Sequence, residues 1–432
     1  KKNIHDTKCR IASQNLIIRS IHLKGKTMRL LHTSDWHLGK RLFDKERYDV
    51  FENFLTWLLS TIRKERVDTL IVAGDIFDTA VPTNKSLRLY YDFLSHLSGS
   101  GCRHVVIVSG NHDSPTLLEA PKEILASLGV HVIGGAENPE NEVIELKDSS
   151  EKLEGVVCAV PFLRERDILR LKDDSTLSRS EEIQLAVENH YKNVAKKAID
   201  KMGAKKVPLI ATGHLFTVGS PKGEDVNELY IGATGAVPIS IFPSEIDYLA
   251  LGHIHRAYSI GGDKTRNYSG APISFTFEEA NLEKLVRLVD FEPDEIKVTD
   301  IPVPKFDKLV SVQGSQTEIT AKLKELIAQD KKILVEVIHT GKTDAINLTG
   351  EVADQTSGTK IEVLRIFDET KKANCLANDA EEMEIGELTW ENVFEKKLKN
   401  ETFEGEVSEE ELWNAYRNAY FQISEFADVN AQ

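Results

Sequence analysis

Cysteine is scarce in this chain. Its 432 residues include four, Cys9, Cys102, Cys158 and Cys375, and none stands in CxxC spacing. Such scattering suggests neither a zinc site nor a disulfide framework, and it fits a reducing cytosol. Long apolar runs are also missing. No stretch reaches the ~18 residues of a membrane span, so a soluble protein with no membrane partner is expected. Positive charge is in deficit, with a formal net charge of -15, which argues against a strongly basic nucleic-acid module. The deficit is uneven. Lys371 to Gln432 carries 6 basic and 15 acidic residues, whereas Lys1 to Thr27 carries 7 basic and 1 acidic. Any nucleic acid must therefore be held by local basic patches, by metal ions or by a partner subunit.

What is present is apolar material for a sizeable core, 41% of the residues, in a chain long enough for two or three domains. The stretch Val105-Val106-Ile107-Val108 is β-branched throughout and reads as a fully buried strand, ended by Ser109-Gly110. Three polar side chains then stand at its mouth. Asn111 offers an amide oxygen suited to a hard cation, His112 can carry a proton near neutral pH, and Asp113 can orient that imidazole. A single such turn is equally well a solvated loop with a helix N-cap at Asp113 or Ser114. The pattern, however, recurs.

The strand from Arg29 runs into Asp35-Trp36-His37-Leu38-Gly39. Tyr48 to Lys64 carries Phe51, Phe54, Leu55, Leu58, Leu59 and Ile62 at helical spacing. Thr69 to Ala73 is a short buried strand ending in Gly74-Asp75-Ile76-Phe77-Asp78, and Lys85 to Leu97 is a second helix. Beyond the Asn-His-Asp turn, strands are predicted at Val130 to Ile133 and Val156 to Val160, with a long helix from Ser180 to Met202. Pro208 to Thr212 ends in Gly213-His214, and Tyr248 to Leu251 ends in Gly252-His253-Ile254-His255. Arg266 to Phe277 reads as strand, turn, strand. This alternation predicts α/β layers with active groups at the C-terminal ends of strands.

The character changes past Pro304. A main domain is therefore expected over 28–305 and a small α+β module over 306–370. The module has strands at Leu309 to Gln313, Ile333 to His339 and Lys360 to Phe367, with helices at Glu318 to Ala328 and Ala345 to Asp354. An acidic linker (371–387) follows, then a closing helix pair (388–428) whose second member opens on a capping box of Ser408 and Glu411. Residues 1–27 read either as a targeting peptide or as a disordered, non-native extension upstream of a start at Met28; we favour the extension.

Five strand ends thus supply Asp35 and His37, Asp75, Asn111, His214, then His253 and His255. The set holds carboxylate, imidazole and amide oxygen but no thiolate, which fits manganese, iron or magnesium and excludes a structural zinc finger. One ion rarely needs so many protein ligands while leaving room for substrate, whereas two ions sharing a carboxylate do. Asp75 is the natural bridge. His253 and His255 would face opposite sides of an extended segment, so they share one metal pair only if the segment turns or the ions straddle it.

The order D-x-H, G-D-x-x-D, G-N-H-D, G-H, G-H-x-H resembles the calcineurin-like metallophosphoesterases. Within that superfamily Ser34 to Lys40, G-D-I-F-D, Gly213 to Phe216, Gly252 to Arg256 and Tyr268 to Pro272 resemble the nuclease subunits of bacterial SbcCD-type complexes. The resemblance spans Met28 to about Glu425. It implies an αββα sandwich of two mixed sheets flanked by helices, a small α+β capping domain that contacts DNA, and a C-terminal helix pair. It also implies that Asp35, His37, Asp75 and His255 hold one ion and that Asp75, Asn111, His214 and His253 hold the other, manganese by preference. His112 becomes the catalytic histidine, held by Asp113. The implied activity is ATP-dependent double-strand exonuclease and single-strand or hairpin endonuclease in DNA repair, replication and recombination, in the cytoplasm at the nucleoid. The implied partners are DNA, an SbcC-type coiled-coil ATPase docked by the C-terminal helices, and a second copy of the chain within a heterotetramer.

Other readings stay open on residues alone. A small-substrate phosphoesterase shares the metal blocks, and a non-catalytic scaffold shares the fold. Trp36, Phe43 and Arg41 can touch DNA or simply pack. Leu87, Tyr90, Tyr91 and Leu94, with Leu117, Leu118, Ile124 and Leu125, can be buried against the sheet or form a two-fold dimer contact.

Overall fold

Strand β1 (Met28–Thr33) shows why apolar residues fall on both faces of the central strands. Side chains alternate across a strand, so Leu30 enters one core cluster and Leu31 the opposite one. The next strands, β2 (Thr69–Ala73) and β3 (His104–Val108), repeat the arrangement. Leu70, Val72, Val105 and Ile107 pack on one side, while Ile71, Ala73, Val106 and Val108 pack on the other. Both faces are covered, which is the condition under which parallel strands lose their polar alternation. The computed structural model describes residues 28–136, 138–169, 177–217, 237–340 and 348–368.

Parallel pairing continues from β1 through β2 and β3 to β4 (Val130–Ile133). Two later strands, β11 (Leu285–Phe291) and β12 (Ile296–Pro302), add antiparallel to the β1 edge, giving six strands in the order β12-β11-β1-β2-β3-β4. The second sheet contains β5 (Val143–Lys147), β6 (Leu153–Cys158), β7 (Leu209–His214), β8 (Tyr248–Gly252), β9 (Tyr258–Ser259) and β10 (Arg266–Tyr268). Its order is β5-β6-β7-β8-β10-β9, parallel from β6 through β10 and antiparallel at both edges. Between the sheets lies a layer that includes Leu30, Ile71, Val106, Val157, Ile210, Ala250 and Phe291.

Helices close the outer faces. Tyr48–Glu65 lays Phe51, Phe54, Leu58 and Ile62 on the first sheet, and Asn84–Leu97 adds Tyr90, Phe93 and Leu94. Thr83 caps the second of these by accepting from the Ser86 amide. On the other sheet Arg179–Met202 starts with a capping box of Ser178 and Glu181. It buries Ile183, Val187, Tyr191, Val194, Ala198 and Met202, each contributing about 1.5–3 kcal/mol where the side chain is large. The layers are the αββα sandwich of two mixed sheets expected from the sequence.

A third sheet holds β13 (Leu309–Gly314), β14 (Ile333–His339) and β15 (Ile361–Asp368), with helices Gln316–Ile327 and Leu348–Thr356. Ion pairs among the described residues tie this sheet to the sandwich, including Arg47 to Asp307, Lys45 to Glu362 and Lys332 to Asp49.

Some expectations shift. The strand placed at Val156 to Val160 spans Leu153–Cys158. The second strand expected within Arg266 to Phe277 does not form: after β10 the chain turns at Gly270 (φ 73°), and Ile273, Phe275 and Phe277 are buried as anchors without strand pairing. Strands β5, β11 and β12 lack a readable signal. In β11 the obstacle is charge, since Arg287 and Asp290 are buried within it and are paired with Asp300 and Arg29. The expectations for residues 1–27, the acidic linker 371–387 and the helix pair 388–428 lie outside the described residues. No helix among the described residues is long and apolar enough to cross a membrane.

Candidate metal centre

The strand-end segments are joined by backbone hydrogen bonds before any side chain is considered. The Asp35 amide donates to the Gly74 carbonyl (3.0 Å), His37 to Asp75 (2.9 Å) and Leu38 to Ile76 (2.9 Å), so the D-x-H and G-D-x-x-D segments run side by side. Asp35, His37, Asp75 and His253 all have positive φ, at 53°, 44°, 50° and 95°. Such conformations cost of the order of 1–3 kcal/mol each for a non-glycine residue, and they cluster at functional sites. Glycine is required at the closest approaches. A Cβ on Gly110 would lie 2.0 Å from Asp75 Oδ1, and one on Gly252 would lie 1.9 Å from the Ala73 carbonyl oxygen.

The seven ligand candidates converge in two halves. On one side His37 Nε2 lies 3.2 Å from His255 Nε2 and 3.4 Å from Asp75 Oδ2. Asp35 joins His37 and His255 within 4.8 Å. On the other side Asp75 Oδ2 is 3.2 Å from His214 Nε2, while Asn111 Oδ1 is 3.0 Å from His214 Nε2 and 3.1 Å from His253 Nδ1. One oxygen of Asp75 therefore faces both halves. Donor atoms about 3 Å apart are spaced as ligands about 2.1 Å from a shared centre. The bend after β8, marked by the positive φ of His253, brings His253 and His255 to opposite halves and removes the alternation problem.

The electrostatics ask for positive charge. Burial alone would push the Asp75 carboxyl up, but His214 and His37 overcome it and hold the group well below the usual carboxylate range. Burial opposes charge on His214 too, yet Asp75 and Asp35 lift its pKa to about 9. His253, desolvated and beside His214, falls to about 3 and offers a neutral nitrogen. The outer nitrogen of His214 lies 2.9 Å from the Ala73 carbonyl oxygen, which turns Nε2 inward. A hard or borderline dication fits this set.

His112 stands beside the cluster. Its amide donates to Asp75 Oδ1 (3.0 Å), its Nδ1 lies 2.8 Å from the Asp78 carbonyl oxygen, and its ring meets His37 edge-on at 4.9 Å. Asp113 does something other than hold His112. Its oxygens accept from the amides of Ile76 (3.1 Å), Phe77 (2.9 Å) and Gly110 (2.8 Å), so it staples the G-N-H-D turn to the G-D-x-x-D turn. Burial and then Asp75 push the Asp113 carboxyl up to about 6.

Sequence reasoning passes over Asp78, whose Oδ1 lies 3.5 Å from both His37 Nδ1 and Lys40 Nζ. Its signal is present as the second acid of G-D-x-x-D. Trp36 is fully buried, edge-on to Phe54 and Phe93, with its indole donating to Thr33 Oγ1. Phe43 is 42% exposed, stacked on Phe277 and with the Arg365 guanidinium over its ring, and Arg41 is exposed. Tyr90, Leu94, Leu118 and Leu125 are buried in the core, while Ile124 is 73% exposed.

Comparison with known proteins identifies the family. The family model for calcineurin-like phosphoesterases matches residues 28–257, and a model described as the type 5 capsule protein repressor C-terminal domain matches residues 305–402. The SbcD subunit of the nuclease SbcCD from Escherichia coli (strain K12) is 34% identical over 375 residues, covering 86% of this chain and 92% of its own length. Its counterpart in Bacillus subtilis (strain 168) is 29% identical over 403 residues, covering 89% and 96%. The chain belongs to the calcineurin-like phosphoesterases, and within them to the SbcD-type nuclease subunits.

Proposed function

We propose that this nuclease cuts DNA phosphodiesters at a centre of two manganese ions. Asp35, His37, Asp75 and His255 would hold one ion, and Asp75, Asn111, His214 and His253 the other. The observation that carries the reading is the position of Asp75 Oδ2, 3.4 Å from His37 Nε2 and 3.2 Å from His214 Nε2. When bound, two dications supply charge neutralisation and Lewis acidity at the phosphate.

The chain's own residues do the rest. Phosphoryl transfer needs mainly position and field from a protein, and the zipped strand ends provide position. His112, with Nδ1 engaged by the Asp78 carbonyl, exchanges protons through Nε2 and delivers one to the leaving oxygen. Asp113 fixes the turn that carries His112 and so acts on it indirectly.

By its family, the chain works with an SbcC-type coiled-coil ATPase as a homodimer within a heterotetramer, in the cytoplasm at the nucleoid. Its activities in that complex are ATP-dependent double-strand exonuclease and single-strand or hairpin endonuclease. The test pits linear and hairpin DNA against a nitrophenyl phosphate ester, with manganese, with magnesium and after chelation. Manganese-dependent DNA cleavage is expected. Turnover confined to the small ester would refute the reading.

A further inference from the structure

His37 and His255 meet nitrogen to nitrogen, with Nε2 atoms 3.2 Å apart. If both are to present lone pairs to one ion, both must carry their protons on Nδ1, and each Nδ1–H needs an acceptor behind it. For His37 that group is Asp78, 3.5 Å from Nδ1 and held by Lys40. Behind His255 stands Glu279, Oε1 3.6 Å from Nδ1.

Glu279 is 7% exposed, in the short turn Glu278–Asn281 that follows the buried anchors after β10. Lys284 Nζ donates to its Oε2, and the Phe275 amide donates to the same oxygen at 3.2 Å. Both fasten one oxygen and turn Oε1 toward the imidazole. Lys284 is 8% exposed, and its Nζ also lies 3.4 Å from the His255 carbonyl oxygen. Phe275 completes the frame, its ring edge-on to His37 at 5.3 Å and to His255 at 5.4 Å. The two imidazoles of this half therefore share one design, imidazole backed by carboxylate backed by lysine. The other half is built differently, since His214 is backed by a backbone carbonyl and His253 turns Nδ1 itself inward.

We propose that Glu279 is a positioning residue of the metal centre, holding His255 in its Nδ1–H form while Lys284 holds Glu279. This rests on the two-ion reading above. Its consequence is selective: removing the Glu279 charge weakens the ion on the His37–His255 half and spares the ion on the Asn111–His214–His253 half.

The experiment titrates manganese into the chelator-stripped full chain by calorimetry, following bound ion by electron paramagnetic resonance, with melting temperature recorded alongside. Wild type is expected to bind two ions. Glu279→Gln keeps the side chain's size and should weaken one of the two by about 10- to 100-fold, the range seen when the group behind a metal-bound histidine is lost. Glu279→Asp should recover part of that loss. Two affinities within twofold of wild type, whatever the melting temperature does, overturn the proposal. Should Glu279→Gln not fold, Lys284→Met reads the same chain of contacts: a selective loss at one ion supports the proposal and none overturns it. A folded wild type that binds no manganese defeats the two-ion reading itself, a result distinct from the failure of Glu279 alone.

Discussion

Arg47→Met should loosen the attachment of the three-stranded module to the sandwich, and the loss should fade in acid. Arg47 is 3% exposed; its Nη1 donates to the Ser274 carbonyl (2.8 Å) and its Nε lies 2.9 Å from Asp307 Oδ2, at an angle that forms no hydrogen bond. Burial pushes the Asp307 carboxyl up, and the Arg47 charge pulls it part of the way back. Breaking a buried pair by removing one partner costs about 3–5 kcal/mol. The Asp307 side chain is 20% exposed, so the lower end applies, about 3 kcal/mol. For a body of more than 300 residues that corresponds to a fall in Tm of roughly 4–5 °C. A carboxyl whose folded pKa exceeds its unfolded value destabilises the fold above that pKa and not below the unfolded one. Methionine raises the folded pKa of Asp307 further. The deficit relative to wild type should therefore be largest at alkaline pH and shrink as the pH falls, toward the about 1 kcal/mol of the lost Ser274 bond. Denaturant titration of wild type, Arg47→Met, Asp307→Asn and the double variant measures it. The double variant should recover most of the loss. A deficit independent of pH, or single losses that simply add, would refute the reasoning.

Three further outcomes follow from the site. Asp75→Asn should lose both manganese ions where His37→Ala loses one, because one oxygen faces both halves; elemental analysis of the purified variants counts them, and an Asp75→Asn chain that keeps both refutes the shared carboxylate. His112→Leu should retain manganese and DNA while hydrolysis falls by roughly 10²–10⁴-fold; loss of metal would make His112 a ligand. Trp36→Ala should cost about 3–5 kcal/mol of stability, because it empties a fully buried site between Phe54 and Phe93. Unchanged stability with weakened DNA binding would instead make Trp36 a substrate contact.

What the sequence reveals of this molecule depends on how far away the explanation of each residue lies. Val105 to Val108 is apolar because both of its faces are covered, and that condition is written in the run itself. The ligand candidates follow such runs immediately, so strand ends and site residues are legible together. Strand β11 is not, because the partners that accommodate buried Arg287 and Asp290 include Asp300, the Tyr268 carbonyl and Arg29, the last of them more than two hundred positions from Asp290. Asp113 marks a subtler limit. It is adjacent to His112, yet its carboxylate turns back to the amides of Ile76 and Phe77, while the carbonyl of Asp78 takes the imidazole. Spacing can bring two residues to one turn, but the direction each side chain leaves it is set by backbone angles. The positive φ values of Asp75 and His253 show those angles being imposed by the packed strand ends. Glu279 lies further out, since nothing in Phe277-Glu278-Glu279 distinguishes it from a solvated acid until Lys284, the Phe275 amide and His255 surround it. The ligands of such a centre can be read from the chain; the groups that aim them emerge only when the fold brings distant segments together.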